Sequence, residues 1–170
     1  MKKYEVFDYE KSENWGKAMC EYKQLFTTDY SEELAVHFMF FCWCVLGKIY
    51  DTAEYTLDEE ELEETINVVS DKLMENWRVL SVPYLLAIIY MKRVCPDFFD
   101  NISIEDTMDM LAWAKTHHPV PDKRGIQILC DYQSERFVKF KDEEERNAVA
   151  ELYPEGSILQ RYTLWLLDSF

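Results

Sequence analysis

His37, Cys42 and Cys44 are the chain's nearest approach to a soft-metal or redox cluster. A zinc site needs side chains that converge on one point, but residues two apart on a helix point to nearly opposite sides. Cys42 and Cys44 are therefore not expected to share an ion. The five cysteines, Cys20, Cys42, Cys44, Cys95 and Cys130, are odd in number, lack a CxxC pair and sit mostly among apolar residues. They read as reduced core thiols, which fits a cytoplasmic setting. His37 lies inside an apolar run and is expected to be a core or boundary histidine with a satisfied ring nitrogen. His117 and His118 precede Pro119 at a helix end, where imidazolium suits the negative end of the helix dipole.

Carboxylate chemistry finds little support. Helical di-iron proteins carry Glu-x-x-His on facing helices, and none of the three histidines has a Glu three residues before it. Asp97, Asp100, Glu105, Asp106 and Asp109 are the nearest thing to a magnesium set, but Asp106 is expected to complete a cap with Ser103, and acids belong in first turns. The four glycines, at 16, 47, 125 and 156, fit neither GxGxxG nor GxxxxGK, and no GxSxG turn marks a nucleophile. No metal and no cofactor is expected, and an enzyme on a helical scaffold is the least favoured class of function.

The stretch "LDEEELEETINVVSDKLMENW", residues 57–77, is acidic with Lys72 as its one lysine. Leu62, Ile66, Val69, Leu73 and Trp77 form one stripe at helical spacing. Glu60, Glu64, Asn67, Asp71 and Glu75 form a second stripe, offset by two residues and hence by about 200°. Asp58 to Glu61 gain from the positive end of the dipole. Asp71 and Glu75 do not. As like charges at i, i+4 they repel, offset in part by Lys72 and Arg78. Glu60, Glu61, Glu64, Asp71 and Glu75 are the candidate partner-binding residues, weighed against a face that only keeps the protein solvated. "KDEEERNAVAELYPEG" carries the same choice, but there Asp142 as a cap and Glu143 to Glu145 in a first turn favour the structural reading. "YEVFDYEKSENW" interleaves aromatics with acids and is expected to tuck against the core.

Helices must position these residues. Alternation of period two never lasts and no Asn-Gly or Asp-Gly turn is present, whereas caps and 3.6-residue periodicity recur. The expectation is all-α: one domain over 1–170, a bundle or array of about seven helices around two very apolar ones, 32–51 and 83–95. Ser12 is expected to cap a helix bearing Trp15, Met19, Tyr22 and Phe26. Asp29 with Glu32, and Thr56 with Glu59, form capping-box patterns ahead of the next two. Pro83 opens the second apolar helix and Pro96 stops it. Further helices are expected near 104–117, 122–140, 142–152 and 157–168. The apolar run Leu34–Leu46 spans 13 residues, short of the roughly 20 that cross a bilayer, so it reads as a buried helix. The lysines at the start are followed at once by Glu5, Asp8 and Glu10, which leaves no room for a signal-peptide apolar region.

Charge narrows the partners. Across 170 residues, 33 Asp and Glu against 18 Lys and Arg give a net charge of −15, with 48% apolar and 15% aromatic residues to build a core. Such a surface repels phosphates, so nucleic acid and anionic membranes are not expected partners. A basic protein is. In composition alone the chain is similar to acidic nuclease immunity proteins. The expectation is a non-catalytic binder, of immunity or antitoxin type, that occludes a basic nuclease-type toxin. The alternative is a helical adaptor or regulatory subunit that uses an apolar groove.

Overall fold

The computed structural model describes residues 4–47, 57–117, 124–133 and 140–169, which hold nine α-helices and no strand. The helices are α1 (Val6–Lys11), α2 (Trp15–Thr28), α3 (Glu32–Leu46), α4 (Glu59–Met74), α5 (Val82–Val94), α6 (Ile104–His117), α7 (Arg124–Gln133), α8 (Glu143–Ala150) and α9 (Ile158–Ser169), with a 3-10 turn at Trp77–Val79. The all-α architecture expected from periodicity is present.

Every residue of α3 from Leu34 to Val45 is buried, because α2, α4, α5 and α9 pack around it. A helix apolar on all sides is stable in water only when enclosed in this way. On α5, Val82 to Ile89 are likewise buried, and α6 and α7 cover it. Residues 48–51 of the expected 32–51 helix lie outside the described residues. So do His118, Thr56 and the Pro121–Asp122 start, and of the expected 122–140 helix only α7 is described. Aromatic rings fill the centre: Tyr22 stacks on Phe38 with centroids 5.0 Å apart, and Trp43 meets Tyr162 edge-on at 5.7 Å.

Several caps fall one element away from their expected places. Ser12 does not open a helix. It closes α1, its hydroxyl donating to the carbonyls of Asp8 and Tyr9, and Asn14 caps α2 by accepting from the Lys17 amide at 3.3 Å. Asp29 ends α2, while Ser31 caps α3 by accepting from Leu34 N–H. A cap must sit three residues before an unbonded amide in extended backbone, and Ser31 has that conformation (φ −145°, ψ 155°). Asp58 does the same for α4 through Glu61 N–H at 3.0 Å. Three starts match expectation: Ser103 and Asp106 bond reciprocally ahead of α6, Asp142 caps α8, and Ser157 caps α9.

One glycine is required by contact. A Cβ on Gly125 would lie 2.3 Å from the Ala148 carbonyl oxygen, so α7 and α8 approach backbone to backbone there.

Candidate functional site

The sequence of α4 divides its surface cleanly. Leu62, Ile66, Val69 and Leu73 are buried, and Trp77 continues the buried stripe from the following 3-10 turn. Glu60, Glu64, Asn67, Asp71 and Glu75 are all exposed on the opposite side. The helix ends at Met74, so Glu75 occupies the cap position of the stripe and not its interior.

The five candidate carboxylates differ in what they already touch. Glu61 is paired with Lys23 of α2, which ties the flank of the stripe to the neighbouring helix. Glu75 accepts from Lys72 at 2.8 Å, and Asp71 accepts from the Asn101 side-chain amide, also at 2.8 Å. Asn101 in turn accepts from the buried Ser70 hydroxyl, so Asp71 is aimed by a short chain anchored in the core. Arg78 lies over the rings of Trp77 and Trp113, 4.5 and 5.6 Å from their centroids. Glu60 and Glu64 make no ion pair among the described residues. The face therefore presents two carboxylates without a contacting cation among the described residues, and two more that are held but solvent-facing.

Val68 belongs to this face and was not singled out in the sequence. It is 55% exposed and sits at i+4 from Glu64 and i−3 from Asp71, as a helical projection of the stripe would have shown.

The other residues with chemical potential are built into the core. His37 is buried, and burial pushes its imidazole down from the usual value to about 3. Its Nε2 is 3.2 Å from the Tyr84 hydroxyl, while Nδ1 has no hydrogen-bond partner among the described residues. One ring nitrogen is thus satisfied, as expected. Cys42 and Cys44 are buried, with thiols pushed well up by desolvation, and no disulfide joins cysteines among the described residues. Cys20 is exposed and is not a core thiol. Among the described residues no group of three His, Cys, Asp or Glu side chains is placed to hold a metal ion, and Asp106 serves as the cap partner expected of it. The side chain of His117 lies outside the described residues.

Two buried carboxylates were not legible as such. Glu10 of α1 is fully buried and accepts from the Tyr22 hydroxyl at 2.6 Å and from Ile158 N–H, the first amide of α9, at 2.7 Å. Desolvation raises its carboxyl to about 7 against the lowering influence of those two donors and of Arg161. Glu145 of α8 is 4% exposed and accepts from the Lys141 amide and the Arg124 guanidinium, which together hold its carboxyl below the usual range.

Two cavities of about 30 Å³ accompany these features. One lies beside His37 among Tyr4, Phe7, Glu33 and Tyr84. The other lies between α3, α5, α7 and α9, lined by Phe40, Leu86, Tyr90, Leu129, Tyr132 and Tyr162. Each has room for a water molecule or two. Trp165, 56% exposed, packs at a tilt against Tyr162 near the second, with ring centroids 5.5 Å apart. No helix among the described residues is long and apolar enough to cross a membrane.

No known family, no curated protein and no solved structure matches the chain.

Proposed function

We propose that this protein is a non-catalytic acidic binder that neutralises a basic partner by occlusion, in the manner of an immunity protein or antitoxin acting on a nuclease-type toxin in the cytoplasm. The observation that carries this reading is the outward face of α4. Glu60, Glu64, Asp71 and Glu75 share one exposed side around Val68, directly opposite the buried stripe. Folding does not require that face to be one-signed: dipole stabilisation ends with the first turn, and like charges four apart repel. A cationic substrate-binding surface would meet carboxylates where it normally meets phosphates, and Val68 would supply an anchor within the rim. The long-range field of a chain with net charge −15 would speed encounter with such a partner.

A helical adaptor or regulatory subunit that seats a partner on an apolar groove is the second reading, for which Trp165, 56% exposed beside Tyr162, would be the anchor. Capture from the source cell on the immobilised full chain, followed by purification of the captured protein, separates the two. The occlusion reading expects a basic protein whose association slows steeply as salt rises from 0.05 to 0.5 M, unaffected by Trp165→Ala. A complex insensitive to salt and lost with Trp165→Ala would sink occlusion in favour of the groove.

A further inference from the structure

Glu10 occupies an unusual junction. It lies on α1, yet its two carboxylate oxygens reach α2, through Tyr22, and the first amide of α9, through Ile158. Arg161 of α9 closes the loop by donating to the Glu10 backbone carbonyl at 2.9 Å. Elements 148 residues apart in sequence are thus joined by one side chain. We propose that Glu10 is a proton-sensitive clasp between α1 and the start of α9, its docking strongest when the carboxyl is neutral and loosened as it ionises.

The geometry permits both states but favours one. A neutral carboxyl keeps its carbonyl oxygen as acceptor for Ile158 N–H and shares its hydroxyl with Tyr22 in either direction. An ionised carboxylate keeps the same two donors but places a full charge in a fully buried site, among Tyr22, Cys44 and the core of α3. Arg161 and the positive end of α9 offset part of that cost. Burial wins, and the carboxyl holds its proton up to about pH 7. When α1 lifts from α9 the carboxyl meets solvent, its affinity returns toward the ordinary 4.5, and between these two values the proton leaves to water. Opening is then linked to release of one proton and grows up to about tenfold per pH unit in that window. Other titratable groups face α1 from behind: His37 touches it through Phe7 with ring centroids 4.8 Å apart, and Glu33 and Tyr84 share the cavity beside Tyr4 and Phe7. They are present in wild type and variant alike and cancel in their difference.

The Ile158 amide is the natural reporter, because it is itself bonded to Glu10. Its hydrogen exchange, corrected for intrinsic base catalysis, gives the opening constant as a function of pH in the full chain. That constant should rise about 40-fold from pH 5 to pH 7 relative to Glu10→Gln, which mimics the neutral carboxyl and cannot ionise. Equal pH dependence in the two proteins would overturn the proposal. Should Glu10→Gln not fold, Tyr22→Phe provides the second arm: loss of a donor to the charged form should move the wild-type transition to higher pH, and an unmoved transition contradicts the clasp. The carbon-13 carboxyl titration of Glu10 should have its midpoint near 7, and a midpoint near 4.5 would remove the device altogether.

Discussion

His37 and Glu10 are both buried and both shifted, in opposite directions, so their effects on stability have opposite signs. The imidazole, at about 3 in the fold against 6.5, contributes stability present above pH 6.5 and lost as pH falls toward 3. The carboxyl, at about 7 against 4.5, contributes stability present below pH 4.5 and lost as pH rises through 7. Between 4.5 and 6.5 the two slopes, each about 1.4 kcal/mol per pH unit, oppose one another. Urea unfolding of wild type should therefore give nearly constant contributions from this pair across that window. In His37→Gln the opposing slope is gone, and stability should rise as pH falls from 6.5 to 4.5; a variant whose profile parallels wild type would show that His37 titrates normally. The sequence made His37 legible as a core histidine because its neighbours on both sides are apolar. Glu10 was not legible, since nothing in "YEVFDYEK" reveals that its partners are Tyr22 and an amide near the other end of the chain. Glu145 was read correctly as a first-turn acid, but its inward turn depends on Arg124 of α7, a contact that no local pattern encodes.

At the level of elements, long helices with strong periodicity were readable and short or closely spaced starts were not. α1 is only six residues long, less than two turns, so its apolar repeat is too brief to stand out from loop. Around α3, both Asp29 and Ser31 are competent caps, and the choice rests on which residue holds extended backbone once α2 has ended. The outward stripe of α4, in contrast, was visible apart from Val68, because acid and apolar stripes that each recur at three- and four-residue intervals fix it by geometry alone. Its cap gives a direct check: Asp58→Ala should cost about 1 kcal/mol, read as a lower urea midpoint at unchanged slope, and an unaltered midpoint would mean that the Glu61 amide is satisfied otherwise. Gly125 offers a sharper one. Alanine is ordinarily favoured over glycine inside a helix by about 0.5–1 kcal/mol. Here its methyl would collide with the Ala148 carbonyl, so Gly125→Ala should reverse that sign and destabilise by about 1–3 kcal/mol. Stabilisation by this substitution would contradict the close approach of α7 and α8.

For the whole molecule, the excess of carboxylates makes self-repulsion a standing cost that salt relieves. The melting temperature should rise between 0.01 and 0.5 M sodium chloride, since the exposed pairs that salt weakens, such as Lys72 with Glu75, are each worth little. A fall would place more of the stability in ion pairs than the structure indicates. The same charge excess points to the function proposed, and the α4 face concentrates it. The most direct test compares association rates of the purified basic partner with wild type and with the variant Glu60→Gln, Glu64→Gln, Asp71→Asn, Glu75→Gln, at low and high salt. Helicity should be unchanged, because all four side chains are exposed. Association should be several-fold slower for the variant at 0.05 M salt, with the gap closing at 1 M as the screening length shrinks to about 3 Å. Equal rates and affinities at low salt would show that the stripe is only a solvated face.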